Sequence, residues 1–207
     1  MASADAGAFH CAHPGGLSMS ITLVIGGARS GKSSFAESLA HEPKIYLATA
    51  QAFDDEMRER IAAHQLQRGD SWTTYDAPLD LVSTLQHVDG AGHFILLDCL
   101  TLWISNLMLS EIPWEAELEQ LILSLGALKG DVVLVSNEVG MGVVPDNALA
   151  RAFRDAQGIT NQAVAEVAET VVLMTAGLPF ALKGQLPTLK ARRRATDRLG
   201  RQGQGRD

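Results

Sequence analysis

Cysteine is scarce in this 207-residue chain, which carries only Cys11 and Cys99. Two widely separated thiols exclude a disulfide framework and fit a reducing cytoplasm. No apolar run approaches the roughly 20 residues of a membrane-crossing helix. Residues 1–18 (MASADAGAFHCAHPGGLS) have neither a basic start nor a continuous apolar stretch. They therefore do not read as a signal peptide, and Met19 is an alternative start. His10, His13, His41, His87 and His93 show no zinc-type spacing with the cysteines, so no structural metal is expected. There is no internal repeat.

Positive charge is also missing from most of the chain. The net charge is −7, yet residues 185–207 hold seven basic residues against Asp197 and Asp207, which leaves +5 there and −12 elsewhere. An acidic body argues against a nucleic-acid surface, because phosphate neutralisation needs clustered Lys and Arg. The basic tail has few apolar residues and no sustained period, and reads as solvated or disordered. With 46 % hydrophobic residues the rest can bury one substantial core. The reading is a flexible leader over 1–19, one domain over 20–184 and a tail over 185–207.

Strand-length apolar runs recur at Ile21–Ile25, Ile45–Thr49, Phe94–Cys99, Val132–Ser136 and Thr170–Met174. They are nearly continuous rather than alternating, as in parallel strands covered on both faces. Helical spacing marks Asp54–Gln67, Leu79–Val88, Trp114–Leu128 and Asn147–Glu169, the last interrupted by Gly158. Alternation of this kind predicts a three-layer α/β domain with a mostly parallel sheet and right-handed crossovers. Ligands of such sheets lie at the carboxyl ends of the strands.

The first of those ends carries the most specific signal. Gly26, Gly27, Ala28, Arg29, Ser30, Gly31, Lys32 and Ser33 follow the strand ITLVI with the spacing of a phosphate-binding P-loop. Ser34–Ala40 then reads as the helix whose positive N-terminal end faces the anion. Lys32 would reach the β/γ-phosphates and Ser33 would hold Mg²⁺. Asp98 closes another apolar strand, where P-loop enzymes place the carboxylate that orients Mg²⁺ or its water; capping the next helix is the other role open to it. Glu138, in SNEVGMGVVP, is either a carboxylate that polarises an attacking hydroxyl or a solvated acid in a glycine-rich turn.

His64 is the less usual candidate. In DDEMRERIAAHQLQR, Met57, Ile61 and His64 share the apolar stripe of a helix, and Arg60 and Arg68 lie one turn away on either side. A histidine there packs against the core, or it serves as a nucleophile. Two neighbouring cations favour the neutral imidazole that attack on phosphorus requires.

Taken together, GGARSGKS, the DDEM-x-x-RI-x-x-H helix, LLD followed by CLT, SNEVGMGVVP and GITNQ resemble the bifunctional adenosylcobinamide kinase/adenosylcobinamide-phosphate guanylyltransferase family of cobalamin biosynthesis. The likeness runs from about Ile21 to Gly184. It implies a RecA-like P-loop NTPase fold, a homotrimer with sites near subunit contacts, and two activities. In the first, ATP or GTP phosphorylates adenosylcobinamide. In the second, a histidine takes GMP from GTP with release of pyrophosphate and passes it to adenosylcobinamide phosphate. That histidine maps onto His64. The implied nucleotide contacts map onto the P-loop, onto Thr49, Ala50 and Gln51, onto Gln65, Leu66, Gln67 and Arg68, and onto Asp76 and Asp98. The family often has Glu at the last two positions, one methylene longer. Two other readings compete: a P-loop kinase of a different small alcohol in which His64 only packs, and a nucleotide switch that binds nucleic acid through the tail.

Overall fold

The computed structural model describes residues 19–51, 55, 58 and 71–187. Seven strands form one sheet in the order β3-β2-β4-β5-β1-β6-β7. They are β1 Ile21–Gly26, β2 Lys44–Ala48, β3 Trp72–Asp76, β4 Phe94–Asp98, β5 Asp131–Val135, β6 Thr170–Thr175 and β7 Leu178–Lys183. All neighbours pair in parallel except β6 and β7. The helices are α1 Lys32–Ser38, α2 Leu81–Val88, α3 Leu100–Leu109, α4 Trp114–Leu125 and α5 Ala148–Val167.

The near-continuous apolar strands are explained by two cores, one on each face. Ile45, Leu47, Ile95, Leu97, Val132 and Leu134 point to one side, where they pack with Leu81, Leu85, Trp103, Ile104 and Leu121 from α2, α3 and α4. Tyr46, Phe94, Leu96, Val133 and Val135 point to the other, against Phe35 and Ala36 of α1. Alternate residues of each strand therefore go to opposite cores, and both kinds must be apolar. This is the three-layer, mostly parallel α/β fold that the sequence predicts, RecA-like in having β5 between the P-loop strand β1 and the Asp98 strand β4.

Four features differ from the expectation. Strands β3 and β7 go unpredicted because they are edges: β3 exposes Thr73 and Thr74, and β7 contains Pro179. Helix α3 (LTLWISNLML) also goes unpredicted, since it buries Leu100, Thr101, Trp103, Ile104, Asn106 and Leu107 and so shows no polar face. Cys99, read as part of the strand, lies one residue beyond β4 and is the N-cap of α3. Gly158 does not interrupt α5, which runs unbroken for 20 residues. A mid-helix Gly costs about 1 kcal/mol relative to Ala, and the buried stripe Ala156, Gln157, Thr160, Asn161 and Val164 offsets that. Of the expected helix Asp54–Gln67, only Asp55 and Arg58 are described; both are helical, and they form an i,i+3 ion pair.

Helix α3 also sets the ends of the neighbouring strands. The buried Asn106 amide donates to Thr49 O at 2.8 Å and Pro78 O at 3.0 Å, and Trp103 Nε1 donates to Leu79 O at 3.1 Å. Asn106→Ala would leave two carbonyls short of their donor. The expected loss is about 2–4 kcal/mol of unfolding free energy, read from the urea midpoint at unchanged slope.

Candidate active site

Side chains from five loops meet at the carboxyl edge of the sheet. Strand β1 ends in Gly26 at φ +150°, and a Cβ built there would stand 2.4 Å from Met174 O and 2.9 Å from Ser30 Oγ. No side chain fits. Arg29 at φ +55° and Gly31 at φ +96° complete the turn into α1, and Gly31 packs against Gly177 of the β6–β7 turn. Ser30 O accepts from Gly177 N at 3.0 Å, so that turn braces the loop. Gly27, Ala28 and Arg29 are exposed, whereas Ser30 and Lys32 are buried and Ser33 is half-buried. Ser30 Oγ is enclosed with no hydrogen-bond partner among the described residues. Lys32 Nζ donates to Gly27 O at 2.6 Å and so lies across the mouth of the loop.

Burial pushes the Lys32 ammonium below its ordinary pKa, opposed by Cys99 and Asp98. Burial, reinforced by the Asp98 carboxylate, raises the Cys99 thiol to about 12, which leaves it uncharged. Asp98 is therefore the counter-charge of Lys32. The enclosed thiol is no nucleophile.

Asp98 is half-buried and sits in one register row with Ala48 and Asp76. Two strand spacings place Asp76 about 10 Å from Asp98, and four place it about 19 Å from β1. Asp76 is thus exposed and remote from the phosphate loop. Thr49 is fully buried: its hydroxyl donates to Cys99 O and accepts from Cys99 N, both at 2.7 Å. It ties β2 to the β4–α3 junction, while Ala50 and Gln51 beyond it are half-buried. His64, Gln65, Leu66, Gln67 and Arg68 lie outside the described residues.

Glu138 follows β5 and is drawn against the P-loop, its N–H donating to Gly26 O at 3.0 Å. Its carboxylate accepts from Gly140 N at 2.9 Å. A buried network that sequence reasoning missed holds this segment. Ser136 Oγ donates to Asn161 Oδ1 at 2.6 Å, and Gln157 Nε2 donates to Ser136 Oγ and Asn161 Oδ1 at 2.8 and 3.0 Å. Asn161 Nδ2 then donates to Asn137 O at 3.1 Å, while Asn137 N donates to Thr101 Oγ1 of α3 at 2.8 Å. Asn137, the residue before Glu138, is thus held by both its N–H and its carbonyl. The available signal was a pair of amides at i and i+4 on the inward stripe of α5.

No group of three or more His, Cys, Asp or Glu able to hold a metal occurs among the described residues. Ser33 and Asp98 offer a hydroxyl and a carboxylate, hard oxygen donors that suit Mg²⁺ when phosphates and water complete its shell.

A family model described as cobinamide kinase/cobinamide phosphate guanyltransferase matches residues 22–182. The chain belongs to that family. It is similar to the bifunctional adenosylcobalamin biosynthesis protein CobP of Pseudomonas aeruginosa, 49 % identical over 168 residues that cover 79 % of this chain and 97 % of that protein. It is also similar to the proteins of the same description named CobU in Escherichia coli and Salmonella typhimurium. Each is 38 % identical, over 78 % of this chain and 98 % of its own length. Among solved structures, a prototypical ATPase from the type III secretion system of pathogenic bacteria overlaps 75 % of this chain and 51 % of its own at 13 % identity, with a TM-score of 0.44.

The Asn161 bridge is testable directly. Asn161→Asp keeps the shape but replaces the donor facing Asn137 O with an acceptor. It is expected to destabilise the fold by about 2–4 kcal/mol in denaturant titration, whereas the exposed neighbour Gln162→Glu stays within about 0.5 kcal/mol of the parent.

Proposed function

We propose that this chain performs both reactions in its family's description, and that one phosphate cradle serves them in turn. The observation that carries the reading is the junction of Gly26, Lys32, Asp98 and Glu138 at one strand edge, inside a chain matched along most of its length by that family.

In the kinase step, ATP or GTP lies with its phosphates over Gly26, Gly27, Ala28, Arg29, Ser30 and Gly31, held by backbone N–H groups and the N-terminus of α1. Lys32 releases Gly27 O and turns to the β- and γ-phosphates. Ser33 and Asp98 would hold Mg²⁺, whose charge, when it is bound, offsets that developing on the phosphates. Glu138 accepts the proton of the adenosylcobinamide hydroxyl as its oxygen bonds to the γ-phosphorus, and the bond to the leaving nucleoside diphosphate breaks.

In the second step a ring nitrogen of His64 bonds to the α-phosphorus of GTP, and pyrophosphate departs. A phosphate oxygen of adenosylcobinamide phosphate then displaces the imidazole and yields adenosylcobinamide-GDP. A neutral imidazole is both nucleophile and leaving group, which the P-loop lacks. Gln65–Arg68, Ala50, Gln51 and Asp76 are assigned to the nucleoside side, whereas Thr49, fully buried with its hydroxyl bonded to the Cys99 backbone, positions the segment rather than touching the ligand. The distance of Asp76 from β1 supports a contact beyond the phosphates rather than with them.

The functional unit is read as a homotrimer in the cytoplasm. Leu178, Phe180 and Leu182 form an exposed apolar row on edge strand β7, which supports self-association. No helix among the described residues is long and apolar enough to cross a membrane. The proposed partners are GTP, ATP, adenosylcobinamide and its phosphate, without nucleic acid.

GTP labelled at the α-phosphate tests the covalent step. The protein is expected to retain GMP after denaturation, and His64→Ala to retain none while keeping phosphoryl transfer to adenosylcobinamide within about tenfold of the parent. A full-strength adduct in His64→Ala would remove His64 from the role. Lys32→Ala is expected to slow both transfers by about a hundredfold, since both need the triphosphate placed; unchanged rates in both assays would withdraw the P-loop assignment.

A further inference from the structure

Helix α5 is longer than the sheet it crosses. It meets the carboxyl edge at Gln157, which bonds Ser136 just past β5, and its far end leads into Glu169, whose N–H donates to Ile21 O at the amino edge. The nine residues from Ala148 to Ala156 therefore project about 14 Å beyond the carboxyl edge. Alongside them lies the C-terminal half of α3, and a shallow groove of about 290 Å³ runs between Ser105, Met108 and Leu109 on one side and Leu149, Ala150 and Phe153 on the other. The two helices make a wall at the carboxyl edge, on the face of the sheet opposite α1, where Asn106 of α3 bonds Thr49 O and Pro78 O beyond β2 and β3.

Apolar side chains face solvent on this wall and at its foot. Met141 is 82 % exposed and Val143 96 %, with Val144, Leu149 and Leu109 more than half exposed. Their loop is rooted at the phosphate site, since it leaves β5 through Glu138, which bonds Gly26. Met141 is only three residues on, so its Cα lies within about 11 Å of that of Glu138. The loop's other end is pinned by Arg151, which donates to Pro145 O at 3.0 Å and Asp146 O at 2.8 Å. The loop is thus anchored at both ends, and no charged side chain lines the groove.

We propose that this wall, with the 141–144 loop, docks the corrin ring of the acceptor. The inference rests on the functional reading above and extends it to the substrate's body. A cobinamide presents its hydroxyl on a short arm, and that arm has to reach the γ-phosphate over the P-loop. The broad macrocycle, with apolar faces and a rim of neutral amides, must then lie on protein within the arm's length of Glu138. The uncharged apolar wall suits the macrocycle's faces, and the 141–144 loop begins three residues from Glu138. The other exposed apolar row, on β7, belongs to the sheet edge and is the one assigned to self-association.

Two aspartates placed on this surface, Val143→Asp and Leu149→Asp, test it in the full chain. Both positions are exposed, so the substitutions leave the cores intact. Equilibrium dialysis of adenosylcobinamide against the parent and each variant should show binding weakened about tenfold or more in the variants. GMP labelling by GTP alone should match the parent, because it needs no acceptor. Equal binding by parent and variants would overturn the proposal, as would absence of binding by the parent. Unchanged cobinamide binding with a smaller oligomer in sedimentation would also overturn it and give the wall to a second copy of the chain. Failure of the functional reading appears separately, as a parent protein that binds cobinamide but takes up no GMP and transfers no phosphate.

Discussion

The missing side chain at Gly26 is the constraint on which the rest of the site depends. Strand β1 runs between β5 and β6, so its last residue is crowded from both sides: Glu138 N bonds its carbonyl, and Met174 O occupies the space a Cβ would take. The crowding brings three loops together at one point. The P-loop leaves from Gly26, the acidic segment arrives through Glu138, and the β6–β7 turn braces the loop through Gly177. A side chain would push them apart, and no rotamer relieves a clash at Cβ itself. The conformation at φ +150° lies outside what other residues readily adopt, which adds a backbone term of about 1–3 kcal/mol to the same restriction.

What could be read in the sequence follows from how local each signal is. The P-loop was legible because all its determinants lie within eight residues and the fold confirms the flanking strand and helix. The five inner strands were legible because covering both faces forces every residue to be apolar. Helix α3 was hidden by the same fact, since a helix buried nearly all round has no polar face to reveal its period. Edge strands β3 and β7 lost their signal for the opposite reason, because solvent on one side admits Thr and Pro. Least visible was the bridge from Gln157 and Asn161 to Ser136 and Asn137. Its partners lie more than 20 residues apart along the chain, and no local pattern says that they meet.

That bridge gives a physical sense to the polar residues in α5. Burying Ser136, Gln157 and Asn161 in an otherwise apolar layer costs desolvation that hydrogen bonds only balance. The balance is incomplete, for Gln157 Oε1 is left without a partner among the described residues. Apolar residues would pack at lower cost, but they could not hold the Asn137 peptide by its carbonyl. What the network supplies is position: Thr101 holds the Asn137 N–H and Asn161 holds its carbonyl, so Glu138 inherits its place from α3 and α5 together.

Lys32 shows why an anion is the natural complement of this edge. Its ammonium is drawn out of water, which lowers its pKa, and its contacts are a carbonyl and the charge of Asp98. The Cys99 thiol beside it stays neutral for the same reason of burial. One carbonyl acceptor does not replace full hydration of a primary ammonium, which has three N–H groups to satisfy. A polyphosphate entering the loop supplies the missing acceptors along with negative charge. The cation lies at the mouth, and on binding it would exchange Gly27 O for phosphate oxygens. The acceptor side is built differently. Phosphates are gripped by backbone N–H groups that any triphosphate can use, so the cradle cannot by itself choose what receives the transferred group. Selection must fall to side chains beyond it, and the proposed loop and wall beyond Glu138 offer uncharged apolar ones.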